Sequence, residues 1–169
     1  MYGYAISDYQ FIYHLYIPFE YALLAYYFSL NNNKPQVRKL ILLSIPLFIL
    51  CSLLISILLI SFKEDPGLNF NLSGILLISW CLITLFSIPP NLTISIFRLP
   101  IFWICTGILL FHVGIFFFNN LYSQLLSQNP DLAQSLHRLT FKTLNYILYI
   151  CFSLAFLCSN QMKKSSLPL

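Results

Sequence analysis

Residues 40–62 read LILLSIPLFILCSLLISILLISF, with no charged residue among them. As a helix at ~1.5 Å per residue this stretch covers about 34 Å, and the hydrocarbon core of a bilayer is about 30 Å thick. A helix lying on a soluble core keeps a polar face, whereas this one is apolar on every side. A barrel strand would alternate polar and apolar residues, and no such alternation is present. In lipid, helices and closed barrels are the structures that satisfy their own backbone groups. The stretch therefore predicts a transmembrane helix.

The same character recurs on both sides of it. Apolar segments cover residues 10–30, 71–88, 100–118 and 138–159. Between them lie Asn31-Asn32-Asn33-Lys34-Pro35, Lys63-Glu64-Asp65-Pro66-Gly67, Pro89-Pro90-Asn91 and Asn119-Asn120, which are turn and interface residues. The fold class predicted is all-α, a polytopic transmembrane helix bundle with about five spans forming a single domain over residues 1–169. Pro100 is a favourable first helical residue. Asn129 and Pro130 read as the cap and first residue of a last helix that starts outside the hydrocarbon and reaches about Ser159. Leu92–Phe97 and Leu121–Leu136 read as interfacial segments too short to cross separately. Met1–Gln10 has no Lys or Arg, so the first apolar run reads as an anchor and not as a cleaved secretory signal.

Composition excludes most other classes. Of 169 residues, 59% are hydrophobic and 8% charged, with a mean hydropathy of +0.79. A soluble domain carries about 25% charged residues, so a soluble enzyme, a nucleic-acid binder and a disordered tail are ruled out. The net charge of +4 does not mark a nucleic-acid surface, because the nine Lys and Arg residues sit mainly between apolar runs. There they set orientation. With five spans, Lys34, Arg38, Lys39, Arg98, Lys163 and Lys164 fall on one side, and Lys63, Arg138 and Lys142 on the other. That asymmetry predicts an N-terminus outside and a cytoplasmic C-terminus.

Chemistry-bearing motifs are few. The five cysteines, Cys51, Cys81, Cys105, Cys151 and Cys158, lie within apolar runs without a Cys-x-x-Cys pair, which reads as free thiols. His14, His112 and His137 lack metal-ligand spacing. No hydrolase, metalloprotease or phosphate-loop signature occurs, so no catalytic residue, cofactor or metal is expected. Asn71-Leu72-Ser73 and Asn91-Leu92-Thr93 match the glycosylation pattern, which is frequent by chance.

The candidate site is a polar cluster inside the spans. Glu20 is the single charged residue placed mid-span, and intramembrane acids are functional candidates by default. Tyr9, Tyr13, Tyr16, Glu20 and Tyr27 share one helical face, and Pro18 releases the carbonyl of His14. His112 on the fourth span is predicted at a matching depth. On the last helix Arg138, Lys142, Asn145 and Tyr149 share a face, with Lys142 able to snorkel to the interface. Glu20, Tyr13, Tyr16, His112, Asn145 and Tyr149 are thus the ligand-binding or structural polar cluster. Structural readings stand beside this one: Glu20 and Asn145 as interhelical hydrogen-bond formers, His112 as a packed side chain, and the tyrosines as interfacial anchors. Trp103, Gly107 and Gly114 read as helix-packing positions.

Three segments carry a resemblance. YIPFEYALLAYYFSL (16–30) with its basic loop, LPIFWICTGILLFHVGIFFF (99–118) and LNYILYICFSLAFLC (144–158) resemble a family of uncharacterised bacterial multi-span integral membrane proteins. Its marker, Pro-x-Phe-Trp-Ile-x-x-Gly, is carried here by Pro100, Phe102, Trp103, Ile104 and Gly107. Glu20 and Asn145 also match. The resemblance implies a bacterial inner (cytoplasmic) membrane protein and two further N-terminal spans, about seven helices in all. It implies no mechanism.

The function expected is a non-enzymatic sensory or partner-coupling membrane module, surrounded by the lipid bilayer and joined to a membrane or signalling protein. The alternative is a small transporter or channel subunit using Glu20 as a proton or cation site.

Overall fold

A computed structural model describes residues 4–60, 62, 66–89 and 95–165. The described chain is all helix and turn: α1 (Tyr4–Asn31), α2 (Pro35–Ile55) continued by a π-helical turn (Ser56–Ile60), α3 (Gly67–Phe86), a 3-10 turn (Ile96–Arg98), α4 (Pro100–Gln128) and α5 (Pro130–Ser165). Helices α2, α3, α4 and α5 are long and apolar enough to cross a membrane. With 28 residues α1 has the length, but its tyrosines, His14, Pro18 and Glu20 lower its apolarity, and it is not one of those four.

Proline and asparagine set the helix starts. Pro35, Pro100 and Pro130 each occupy the first helical position, where the missing N–H removes a donor that has no intrahelical acceptor. Asn129 caps α5 as its sequence predicts, its Oδ1 accepting from the Leu132 N–H at 3.1 Å. Pro18 and Pro46 lie inside α1 and α2, which run on through them.

Several boundaries differ from the sequence reading. Helix α2 begins at Pro35, five residues before Leu40, and α3 begins at Gly67. Helix α4 continues through Asn119 and Asn120 to Gln128, so Leu121–Leu136 is not a segment separate from the spans: it is the end of α4 and the start of α5. Asparagine does not stop the helix there because Asn120 Nδ2 bonds the Phe116 carbonyl at 2.7 Å, inside the same helix. The sequon at Asn71 sits within α3, with Ser73 buried and bonded to the Phe70 carbonyl. The sequon at Asn91, the Leu92–Ile94 part of the interfacial segment, and Lys63, Glu64 and Asp65 lie outside the described residues.

The chain divides into two compact units, Met1–Trp80 and Cys81–Leu169. In the first, α1 packs on α2 through His14, Ile17, Tyr21, Ala25 and Phe28, which recur at helical spacing and are all buried. Opposite them on α2 are the buried Ile41, Phe48 and Ser52. The Tyr21 ring lies 4.3 Å from that of Phe48. Its hydroxyl is the middle of a relay. Trp80 Nε1–H donates to it at 3.1 Å, it meets Ser44 Oγ at 2.7 Å, and Ser44 donates to the Ile41 carbonyl at 2.7 Å. Because the Ser44 proton is committed, Tyr21 donates to Ser44 and every hydroxyl is satisfied.

In the second unit α4 and α5 form an antiparallel hairpin turning at Asn129. Gly107 lies against Cys151 and Leu148, and Gly114 against Leu144. Cys105, Ile108, His112 and Ile115 form the buried face of α4, while Ala133, Cys151 and Ala155 are buried on α5. The 3-10 turn is held against the same hairpin. The Phe97 carbonyl accepts from Trp103 Nε1 at 2.8 Å and from Cys158 Sγ at 3.6 Å, and the Phe97, Phe102 and Trp103 rings pack edge to face or tilted.

Candidate functional site

The densest buried polar group in the first unit sits where α2 gives way to its π-helical turn. Ser52 and Ser56 are one helical turn apart and therefore share a face. Ser56 donates its hydroxyl to the Ser52 carbonyl at 2.8 Å, and its backbone N–H points at the carbonyls of both Leu53 and Ser52. Such serine back-bonding competes with the regular helix ladder and bends helices. Two other helices reach this point. His14 Nδ1 of α1 lies 2.8 Å from Ser56 Oγ. Asn69 Nδ2 of α3 donates to Ser56 Oγ at 2.9 Å and to the Ser52 carbonyl at 3.3 Å. His14, Ser52, Ser56 and Asn69 are at most 1% exposed. The Phe62 ring closes on His14 at 5.3 Å and on Phe11 at 5.6 Å.

This arrangement is not nucleophilic machinery. A serine nucleophile gives its proton to a histidine base and faces a space that a substrate can enter. Ser56 instead gives its proton to a carbonyl and is sealed from solvent. Its one donor and two acceptor positions are all used.

The residues singled out from the sequence fall in both units. Tyr13, Tyr16 and Glu20 belong to the first. Glu20 is half-buried and hydrogen-bonded to Tyr16 one turn earlier in α1, while Tyr13 and Tyr16 are more than half exposed. His112, Asn145 and Tyr149 belong to the second. His112 is buried, 5.3 Å from the Phe111 ring. Asn145 Nδ2 bonds the Phe141 carbonyl of its own helix at 2.8 Å, and Tyr149 is exposed. Near the tip of the hairpin His137 is ringed by Phe118, Tyr122 and Phe141, at 5.8, 5.1 and 4.4 Å. No group of three or more His, Cys, Asp or Glu able to hold a metal ion occurs among the described residues.

Sequence reasoning missed Ser52, Ser56 and Asn69, and treated the His14 imidazole only as a member of a dispersed trio of histidines. A signal was present. His14 and Tyr21 lie seven residues apart on the apolar face Ile17-Ala25-Phe28, so a histidine interrupts a helix-packing stripe. The Ser52/Ser56 spacing within an apolar run pointed to a partner on another helix. Asn69 carried no signal of its own, because it stands at the start of a span where polar residues are ordinary.

Comparisons with protein-family models, with curated proteins and with solved structures found no match to this chain.

Proposed function

We propose that this protein is a non-enzymatic, multi-pass membrane module that senses a ligand or couples to a neighbouring membrane or signalling protein. Its place is a bacterial inner membrane, with α1 as a fifth span, the N-terminus outside and the C-terminus cytoplasmic. The six-to-three distribution of basic residues supports that orientation. The family resemblance supports the bacterial setting.

The observation that carries the reading is the division of labour on α1. One face, His14-Ile17-Tyr21-Ala25-Phe28, is consumed by packing inside the first unit. The other presents Tyr13, Tyr16 and Phe19 outward, at 55, 51 and 64% exposure, beside the half-buried Glu20. Lipid tails have no use for a phenol–carboxyl pair, whereas a second polypeptide that offers a hydrogen-bond donor does.

The test is photocrosslinking in intact membranes from p-benzoylphenylalanine placed at Phe19, with the same probe at buried Phe28 as the control. A discrete protein adduct from position 19, absent from position 28 and lost in Glu20→Gln, is the expected result. Lipid adducts alone, or a protein adduct indifferent to Glu20→Gln, overturn the reading.

A further inference from the structure

The buried cluster of the first unit contains hydrogen-bonding atoms that its own residues do not use. Asn69 must turn Nδ2 toward the Ser52 carbonyl, since the flipped amide would set oxygen against oxygen at 3.3 Å. That leaves Asn69 Oδ1 buried and without a hydrogen-bond partner. Ser52 Oγ is in the same condition, and its residue is 0% exposed. One turn before His14 on α1, Gln10 Oε1 is buried and unpartnered as well. Two amide oxygens and one hydroxyl, on residues of the cluster or one helical turn from His14, are therefore unused, and all three can accept a hydrogen bond.

The protons in the cluster can be assigned by counting. Ser56 has one proton, and its 2.8 Å contact with the Ser52 carbonyl consumes it, because two bare oxygens would repel at that separation. The 2.8 Å contact between Ser56 Oγ and His14 Nδ1 then needs a proton on the histidine. His14 therefore carries a proton on Nδ1 and donates it to Ser56 Oγ.

A ligand for the remaining atoms has to be small, able to donate hydrogen bonds and uncharged. Amide and hydroxyl oxygens also suit an alkali cation. Yet the cluster residues include no carboxylate, and a buried charge without a counter-charge is costly. Buried waters make about three hydrogen bonds to polar groups of this kind. We infer that Gln10 Oε1, Ser52 Oγ and Asn69 Oδ1 form a binding site for water, which joins α1, α2 and α3 at the π-helical turn and selects neutral hydrogen-bond donors over cations. The inference is independent of the partner-coupling reading.

The test is magic-angle-spinning NMR of the full chain in lipid bilayers. His112→Gln/His137→Gln leaves His14 as the sole histidine, and its ring nitrogens report the tautomer directly. A protonated Nδ1 is expected. Water-edited spectra should transfer magnetisation to the Asn69 side-chain carbonyl but not to the equally buried Phe48 ring. Asn69→Leu should abolish the transfer to Ser52, and exchanging sodium for choline should leave all these signals in place. A ring unprotonated at Nδ1, an Asn69 as dry as Phe48, or cluster signals that move with sodium overturns the inference. The first two measurements need no substitution within the cluster, so they decide even where Asn69→Leu fails to fold.

Discussion

Tyr21 shows how one side chain ties three helices when its polar end is satisfied. It accepts from Trp80 on α3, donates to Ser44 on α2 and lays its ring on Phe48. Tyr21→Phe keeps the ring but leaves the Trp80 N–H without its acceptor. A buried polar group left unmade costs ~1–3 kcal/mol, while interhelical bonds in membranes average about 0.6 kcal/mol. The expected loss is about 1 kcal/mol in reversible unfolding, with a shift of Trp80 emission in a Trp103→Phe background. Ser44→Ala should cost less, because the Trp80–Tyr21 bond survives it. An unchanged Trp80 spectrum in Tyr21→Phe would dismiss the relay. This scale was the least legible in the sequence. Glu20 stands out because it is charged, yet packing on α1 is decided by phase. Shifting the stripe by one position, from Glu20 to Tyr21, separates the outward face from the buried one. A charge is conspicuous in a hydrophobic sequence, whereas a serine–histidine–asparagine contact between three helices exists only after the chain has folded.

The hairpin of α4 and α5 was more legible as an element. Two glycines seven residues apart on an apolar helix predict a backbone approach along one face, and both do face α5. What the spacing does not reveal is how rigid the opposing surface is. A Cβ added at Gly107 would come within 2.8 Å of Cys151 Cβ, an atom fixed to the backbone. One added at Gly114 would come within 2.8 Å of Leu144 Cδ2, the far end of a flexible side chain. Overpacking costs ~1–3 kcal/mol where the structure cannot yield. Gly107→Ala is therefore expected near the upper end, and Gly114→Ala near the lower end or below it. Cys151→Gly should rescue the first and Leu144→Ala the second, which a pair of double-mutant cycles in detergent or bicelles measures. Equal losses at both glycines, or no rescue, would refute the rigid-contact argument. The end of α4 lies beyond its asparagine pair for a related reason. Asparagine pairs mark loops by composition, but an asparagine that bonds the carbonyl one turn back can continue a helix. The stop came at Asn129-Pro130, where the side chain caps the next helix and proline removes a donor.

At the scale of the whole molecule, helix length becomes a measurement of depth. Helix α4 has 29 residues and α5 has 36, about 43 and 54 Å at ~1.5 Å per residue, against a hydrocarbon core of about 30 Å. Both therefore extend beyond the hydrocarbon. The composition says where: Asn119, Asn120, Gln124, Gln128, Asn129, Asp131 and Gln134 gather at the hairpin tip, followed on α5 by the exposed Arg138 and Lys142. Farther along both helices, exposed side chains such as Leu110, Phe117, Ile150, Phe156 and Leu157 are apolar and suited to lipid. The tip is thus a helical structure standing in the interface or in water, and its backbone amides are protected only by helix hydrogen bonds. Amides nearer the middle of each helix are shielded by lipid as well. Hydrogen exchange of the chain in nanodiscs should accordingly show residues 121–136 exchanging well before residues 103–117 and 143–157, with a gradient rather than a step along α5. Substituting Asn129 by Ala removes the cap, which costs about 1 kcal/mol, and should speed exchange at the tip while leaving residues 103–117 unchanged. Uniform protection across the hairpin would place its polar turn inside the hydrocarbon and would contradict the depth read from helix length.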